Sequence, residues 1–315
     1  MSYDRKELLD RIDTKYKEID QDPDVHLSGL SYAKPITYWD YIQTDALLGL
    51  QTQRTTLPDE MVFIMYHQIN ELLFKMILWE IKQIADCDAI PAEKFSKHLE
   101  RISRYFDMLS ESFNIMGDGM DVDQYMKFRD TLTPASGFQS AQYRLVEFAC
   151  TDAINLIDMR FRKNFTNDSS TEELVENMYW QAAGKNYKTG KKSTLLRNFE
   201  ERYKKEFITF INEYKSVNLW AKFKNLPAEV QANKELINSM RHCDHTINVS
   251  WVMAHLNAAK KYLNSGKKSA EATGGSDWQK YMHPKYQRRI FYPSLWSQDE
   301  LDNWGITNLE GHETV

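Results

Sequence analysis

Apolar and polar residues follow one another along most of this chain with the period of about 3.6 residues that marks an amphipathic α-helix. The pattern is clearest over residues 58–86, which are predicted to form one long helix beginning at Pro58. Asp59 and Glu60 stand in its first turn, where acidic groups favour the positive end of the helix dipole. The apolar positions of this helix include Met61, Ile64, Met65, Leu72, Met76 and Trp79.

The same periodicity predicts helices in other segments, and clusters of glycine, proline and polar residues predict the loops between them. The further helices are residues 4–20, 38–50, 92–116, 122–131, 138–158, 193–217 and 228–264. The loops are residues 21–35, 134–137, 163–171, 185–192 and 267–276. The aromatic C-terminal segment, from Trp278 to Trp296, is too apolar for a free tail and is expected to pack on the body. Since neither strand-like alternation nor a linker is found, we expect an all-α fold and a single domain over residues 1–315.

Composition and charge exclude several classes of protein. The 315 residues carry a net charge of −5, so there is no basic excess to neutralise the phosphates of a nucleic acid. No apolar run approaches the roughly 18 residues that span a bilayer, and the charged N-terminus lacks the apolar core of a signal peptide. Three scattered cysteines are too few for a disulfide framework. These features predict a cytoplasmic protein.

Two of the eight histidines lie within long apolar helices and are candidates for chemistry. His255 follows Trp251 by one turn and precedes small alanines, which leave room for a flat ring, as an axial haem ligand requires. His67 shares a helix face with Phe63 and Glu71, an aromatic and a polar group that could contact an indole ring and its N–H. On spacing alone, the commoner role of either histidine is a structural one in a helix interface.

The other histidines are weaker candidates. His98, His283 and His312 have polar sequence neighbours and are predicted to lie at the surface. The histidines on either side of Cys243, at positions 242 and 245, resemble half of a zinc site. A structural zinc ion needs four ligands, normally supplied as two pairs, and no second pair exists in the chain. We therefore do not predict zinc.

Two further features could hold an amino acid. Tyr125 and Arg129 are one turn apart on a predicted helix, and a guanidinium can bind a carboxylate through two parallel hydrogen bonds. Thr273 stands before two glycines in a loop that offers a hydroxyl and unhindered backbone to a polar ligand. Neither feature is specific by itself, because most arginines are solvated and most glycine pairs mark flexible loops.

Taken in order, these pieces resemble the tryptophan 2,3-dioxygenase family along nearly the whole chain. The most specific match is PASGFQSAQYR at 134–144. The others are YWDY at 38–41, DEMVFIMYHQ at 59–68 with Glu71, YMKFRD at 125–130, WVMAH at 251–255 and ATGGS at 272–276. One such motif could arise by coincidence, but the family's order of motifs identifies the chain as a member.

The resemblance implies a haem-dependent enzyme. It would use haem b, with Fe2+ in the active state, and O2 to cleave the indole C2–C3 bond of L-tryptophan. The product would be N-formylkynurenine, in the first step of tryptophan catabolism by the kynurenine route. The implied fold is a single large helical bundle that encloses the haem, assembled as a homotetramer (a dimer of dimers).

The resemblance also implies roles for individual residues. His255 would be the axial ligand of the haem iron, with Trp251 and Ser136 bordering the haem. His67 would be the catalytic distal histidine, placed to contact the indole N–H. The implied substrate-binding residues of the same subunit are Phe63, Tyr125, Arg129, Leu132 and Thr273. Tyr38 and Tyr41, in the N-terminal segment 1–50, would reach into the substrate site of a neighbouring subunit.

Two alternatives stay open. One is a related histidine-ligated haem oxygenase that hydroxylates a different indole or phenol. The other is a non-catalytic haem-binding or sensor protein, which would need no clamp for an amino acid.

Overall fold

The computed structural model describes residues 4–129, 139–166, 168–187, 189–263 and 283–306. Its contacts divide the chain into two units, Met1–Gln51 and Thr52–Val315, and each is described by itself below. In the described ranges the structure is helical, and β-pairing is limited to the isolated bridges Ile157–Met178 and Lys185–Lys192. The all-α prediction is therefore confirmed for these residues, whereas the single-domain expectation stays a prediction.

The first unit contains four short helices. They are α1 (Arg5–Lys17), α2 (Pro23–Tyr32), α3 (Tyr38–Ile42) and α4 (Thr44–Leu48). The loop predicted over 21–35 was wrong, because residues 23–32 of it form helix α2. The Asp22 side chain caps this helix by accepting a hydrogen bond from the Asp24 N–H. Pro23 occupies the first turn, where a missing N–H costs no helical hydrogen bond. The predicted helix over 38–50 breaks at Gln43, whose φ of 60° lies in the left-handed region.

The second unit contains the remaining helices. They are α5 (Asp59–Ala85), α6 (Ala92–Gly117), α7 (Val122–Arg129), α8 (Ala141–Cys150), α9 (Thr171–Val175), α10 (Thr194–Tyr214), α11 (Leu219–Lys224), α12 (Ala228–Gln231), α13 (Lys234–His245), α14 (Trp251–Leu263), α15 (Pro284–Gln287) and α16 (Gln298–Asp302). A π-helical turn, Thr246–Ser250, joins α13 to α14. The short 3-10 helices are Ala153–Leu156, Arg162–Asn164, Tyr179–Ala183 and Pro293–Leu295.

The core of this unit forms around the pair α5 and α6, and α6 also packs against α13 and α14. Ile77, Ile81 and Ile84 of α5 are fully buried, as are Phe95 and Phe106 of α6. Burying one such side chain contributes about 1.5–3 kcal/mol, so the amphipathic patterns of these two helices supply much of the driving force for folding. Long helices with strong periodicity agree with the prediction to within a few residues.

Predicted helices depart from the structure where tertiary contacts take over. The helix expected over 138–158 ends at Cys150, and the Thr151 hydroxyl instead donates to the carbonyl oxygen of Phe291 at 2.6 Å. The helix expected over 228–264 is divided into α12, α13 and α14 by a capping Asn233 and the π turn. The described part of the C-terminal segment, residues 283–296, does pack on the body, because Phe291 and Tyr292 are completely buried. None of the helices in the described part of the chain combines the length and the hydropathy needed to cross a bilayer.

Candidate active site

The first element of the candidate site is the pair Phe63 and His67, one turn apart on α5. Their rings lie 4.1 Å apart between centroids, and the Phe63 carbonyl oxygen is 2.8 Å from Nδ1 of His67. A carbonyl oxygen can only accept a hydrogen bond, so Nδ1 carries the proton of the neutral ring. Nε2 is then left with a lone pair, which can accept a hydrogen bond from a ligand.

The surroundings of His67 favour the neutral form of its ring. Desolvation by the surrounding protein lowers the pKa of His67, while the hydrogen bond to Phe63 and the carboxylate of Glu71 act in the opposite direction. The side chain nevertheless keeps much of its surface open to solvent. A ring that packs against Phe63 and Tyr66 yet stays accessible to solvent can contact a ligand.

The second element is His255 on α14. Its ring stacks parallel to that of Phe113 on α6, with centroids 5.1 Å apart and an angle of 6° between planes, and Trp251 packs 6.1 Å away. Burial lowers the pKa of His255 to about 4, and a positive charge on His67 would lower it further. The imidazole is therefore neutral at physiological pH. Within the described ranges no residue forms a hydrogen bond with either of its ring nitrogens.

A continuous series of aromatic rings connects the two histidines. Tyr66 lies against His67 at 5.0 Å and against Phe113 at 6.3 Å, and Phe113 stacks on His255. The electrostatic interaction between His67 and His255 also requires them to be near one another. The fold thus brings together two imidazoles that are 188 positions apart in the sequence, and desolvation lowers the pKa of both.

The third element is the pair Tyr125 and Arg129 on α7. The Tyr125 ring lies 6.1 Å from that of Phe63, and Phe128 packs edge-on against Phe63 at 5.6 Å. The Arg129 guanidinium donates a hydrogen bond to the Tyr125 hydroxyl, while burial raises the pKa of that hydroxyl. Hence the structure brings a guanidinium and a phenol to the edge of the aromatic wall that holds His67.

Glu71 joins the histidine helix to the start of α8. Its carboxylate accepts hydrogen bonds from the Ser140 hydroxyl and from the Gln142 amide, both at 2.8 Å. Gln142 also donates to the backbone carbonyl oxygen of Glu71 at 3.0 Å. The two motifs that the sequence marks most strongly therefore meet at one carboxylate, one turn after His67.

A buried ionic network packs against Trp251, one turn before His255. Glu147 accepts hydrogen bonds from the Arg289 guanidinium and the Tyr179 hydroxyl, both at 2.5 Å, and pairs with Arg144 at 3.0 Å. Arg289 also donates to the Tyr143 hydroxyl at 2.7 Å, and burial raises the pKa of Tyr143 to about 12. The Tyr143 ring lies 4.6 Å from that of Trp251, so this network fixes the tryptophan that precedes His255.

Asp244 holds the π turn in place. It is completely buried, and it accepts hydrogen bonds from the backbone N–H groups of Phe291 and Tyr292, at 3.0 and 3.1 Å. It also accepts from the Asn248 amide at 2.8 Å and from Nε1 of Trp296 at 3.0 Å. Burial raises the pKa of Asp244, and these four donors counteract the rise. Single π turns within helices are often found at functional sites, and this one sets the orientation of the helix that carries His255.

Other predicted site residues cannot be related to this group. Leu132, Ser136 and Thr273 lie outside the described residues. Tyr38 and Tyr41 belong to the first unit, where both side chains are largely exposed.

Two predictions about the remaining histidines can be compared with the structure. The surface position expected for His98 was wrong: it is buried, and its Nδ1 lies 2.6 Å from a Glu80 carboxylate oxygen. Its sequence neighbours are polar, but the residues on its own helix face, Phe95 and Ile102, are buried. Cys243 is buried whereas the histidines beside it are exposed, and no group of metal ligands is found among the described residues.

Comparison with known proteins agrees with this assembly of motifs. A family model described as tryptophan 2,3-dioxygenase matches residues 26–241, which is more than half of the chain. The chain belongs to the tryptophan 2,3-dioxygenase family. The matched region includes His67, Arg129 and Glu71, and it ends before His255.

Curated relatives carry the same name at moderate identity. A tryptophan 2,3-dioxygenase of Ruegeria pomeroyi is 38% identical over 132 residues, which cover 40% of this chain and 46% of that protein. One of Bacillus anthracis is 38% identical over 121 residues, covering 38% and 42%. One of Ralstonia pickettii is 37% identical over 126 residues, covering 39% and 44%. The matching part thus spans less than half the length of each of these relatives.

Several supporting residues were not found by sequence reasoning. Phe113, Glu147, Asp244 and Arg289 show no local pattern that distinguishes them from other aromatic or charged residues. A weak signal was available for Glu147, which follows Arg144 at the three-residue spacing that allows contact within a helix. Three of the four partners of Asp244 lie about 50 positions away, so only the folded chain reveals them.

Proposed function

We propose that this chain is a haem-dependent dioxygenase that uses O2 to cleave the indole C2–C3 bond of L-tryptophan and forms N-formylkynurenine. The observation that carries the proposal is the pairing of two histidines, His255 and His67, which the rings of Tyr66 and Phe113 connect and whose pKa values desolvation lowers. Membership of the family and the names of the relatives support it.

The residues around His255 fit a haem iron. A metal ligand must be a neutral imidazole, and burial keeps His255 neutral to well below physiological pH. The parallel ring of Phe113 fixes the plane of the imidazole, and Trp251 fills the space one turn before it. Bound there, a haem b would supply the activation of O2.

The distal residues would bind and orient the substrate. Nε2 of His67 would accept a hydrogen bond from the indole N–H, because Nδ1 is already committed to the Phe63 carbonyl. Phe63 would pack against the indole ring, and the Arg129 guanidinium would pair with the substrate carboxylate beside the Tyr125 hydroxyl. The surrounding aromatic rings would exclude water from the reacting atoms.

The proposal extends to residues that the geometry above does not include. Leu132 would border the indole, Ser136 the haem, and Thr273 the ammonium or carboxylate group. Tyr38 and Tyr41 would complete the site of a neighbouring copy in a homotetramer. We further propose that the enzyme acts in the cytoplasm, in the first step of tryptophan catabolism by the kynurenine route.

Direct turnover tests the proposal. The full chain is loaded with haem, reduced, and mixed with L-tryptophan and O2, and the expected result is the ultraviolet absorbance of N-formylkynurenine. His255→Ala should lose haem, as measured by the Soret band. His98→Gln is the control and should keep haem, because it leaves the proposed iron ligand His255 in place. Absence of product from the loaded enzyme, or full haem occupancy in His255→Ala, would contradict the proposal.

The same experiment separates the rival functions. An oxygenase for another indole or phenol would form product from that compound and none from L-tryptophan. A sensor would bind haem and leave every substrate unchanged. The hydrogen-bonded pair of Tyr125 and Arg129 beside Phe63 favours an amino-acid substrate over both alternatives.

A further inference from the structure

Tyr66 lies between the two histidines of the candidate site. Its ring meets that of His67 edge-on, with centroids 5.0 Å apart and an angle of 87° between planes. It also contacts the ring of Phe113 on α6 at 6.3 Å, and Phe113 stacks on His255. The Tyr66 side chain is almost completely buried. One side chain therefore touches His67 directly and reaches His255 through a single intervening ring.

Tyr66 also belongs to a small hydrophobic cluster that is separate from the main core. The buried members of this cluster are Tyr66, Met116, Met120 and Phe128. The partly buried residues that pack against it include Phe63, Phe113 and Tyr125. Two of the proposed substrate-binding residues and the ring that stacks on His255 thus share one support.

The orientation of His255 depends on ring packing. Metal-bound histidines are usually oriented by a hydrogen bond from the second ring nitrogen to a carbonyl or carboxylate oxygen. Among the described residues neither ring nitrogen of His255 has such a partner. The parallel ring of Phe113, 5.1 Å away, therefore sets the plane of the imidazole. Whatever holds Phe113 in place also holds His255, and Tyr66 is one of the rings in contact with Phe113.

The orientation of His67 depends on Tyr66 more directly. The Phe63 carbonyl oxygen lies 2.8 Å from Nδ1 and fixes that edge of the imidazole. The Tyr66 ring stands nearly perpendicular to the imidazole and packs against it. Together these two contacts restrict rotation of the imidazole, which decides where Nε2 can accept a hydrogen bond.

The ring of Tyr66, rather than its hydroxyl, makes these contacts. The hydroxyl is buried close to Asn70 and Ser112, yet among the described residues it forms no hydrogen bond of ordinary geometry. A buried hydroxyl without a hydrogen bond destabilises the folded state. The contribution of Tyr66 to the site therefore comes from its ring, and a phenylalanine should serve equally well.

We propose that Tyr66 is a positioning residue shared by the two histidines, and that its ring orients His67 by direct contact and His255 through Phe113. The roles of the two imidazoles in this inference rest on the proposed function. The contacts that couple them belong to the chain itself and can be tested without haem. Loss of a ring that supports both histidines should disturb both together.

Nuclear magnetic resonance of the haem-free full chain tests the coupling. The Cε1–H signals of the two imidazoles are assigned from the spectra of His67→Gln and His255→Gln. Tyr66→Leu should shift both signals, whereas Tyr66→Phe should shift neither. The His255 signal is decisive, because Tyr66 contacts Phe113 rather than the His255 ring. The matched control Phe95→Leu removes a fully buried ring of α6 from the main core and should shift neither signal.

Haem retention and turnover supply a second test. In the haem-loaded chain, Tyr66→Leu should accelerate transfer of haem to apomyoglobin and lower kcat/KM for L-tryptophan, each by about 10–100-fold. Tyr66→Phe should stay within about twofold of the wild type in both measurements. Arg129→Ala alters the substrate side alone, so it should lower kcat/KM and leave the rate of haem transfer unchanged.

Circular dichroism verifies that each variant is folded. Should Tyr66→Leu not fold, Tyr66→Met, whose flexible side chain fills irregular gaps, replaces it with the same expected results. An unchanged His255 signal in the variant without the ring, or equal effects of that variant and either Phe95→Leu or Tyr66→Phe, would overturn the proposal. A haem-loaded wild-type chain that forms no product would instead overturn the proposed function, and the resonance measurement would still decide the role of Tyr66.

Discussion

Replacing Asp244 with asparagine tests how the helix of His255 is held. The carboxylate has two oxygens, and each accepts two hydrogen bonds. One oxygen serves the Asn248 amide and the Phe291 N–H, and the other serves the Tyr292 N–H and the Trp296 indole. An asparagine keeps one accepting oxygen and turns an NH2 group towards the other pair of donors.

The magnitude follows from the best arrangement left to the variant. If the new NH2 group faces Asn248, the Asn248 amide can rotate so that its oxygen accepts a hydrogen bond from that group. This oxygen is available because it has no hydrogen-bond partner among the described residues. The Phe291 N–H is then left without an acceptor in a fully buried position. An orphaned buried donor costs about 1–3 kcal/mol, and loss of the charge from the other bonds adds about 1 kcal/mol. We expect Asp244→Asn to lower the free energy of unfolding by about 2–4 kcal/mol.

Urea denaturation of the haem-free chain measures this change, and titration with haem measures its effect on the site. Because Asp244 precedes the π turn that leads to His255, haem affinity should fall together with stability. Asp86→Asn is the control: Asp86 forms an exposed ion pair with Lys82, and its loss should change stability by less than about 0.5 kcal/mol. If Asp244→Asn were as stable as this control and bound haem normally, the reasoning would be refuted.

Three further predictions concern the candidate site. In the haem-free chain, His255 takes up its proton only near pH 4 when folded and near pH 6.5 when unfolded, so stability should decrease by at most about 3 kcal/mol as pH falls between these values. Denaturation of His255→Phe should lack that component of the pH dependence. Arg129→Ala should weaken L-tryptophan binding by about 2 kcal/mol, or roughly 30-fold, while leaving the affinity for tryptamine, which has no carboxylate, unchanged in calorimetry. Glu71→Gln removes a charge that raises the pKa of His67, so the acid limb of the kcat/KM profile should move to lower pH, and a shift to higher pH would contradict this assignment.

The candidate site was predicted from sequence to a considerable degree, but only as separate pieces. Phe63 and His67, like Tyr125 and Arg129, lie one turn apart on one helix, and such pairs can be recognised locally because helical spacing determines which side chains meet. Their mutual arrangement depends on the packing of α5, α6, α7 and α14, which no local pattern specifies. Glu71 illustrates the difference. The sequence placed it on the face of His67, but its hydrogen bonds to Ser140 and Gln142 became known only from the structure.

What the sequence determined by itself is the helical class, the extent of the long helices and the identity of the residues available for chemistry. The periodicity of α5 and α6 is strong because both helices bury one face, so each turn must place an apolar residue on that face. Tertiary contacts accompany the end of the helix expected over 138–158 and the π turn that divides the helix expected over 228–264, since Thr151 and Asp244 each form a hydrogen bond with the backbone of Phe291. Only the tertiary structure decided that His255 is neutral, because a pKa depends on the protein that surrounds the ring rather than on its neighbours in the chain.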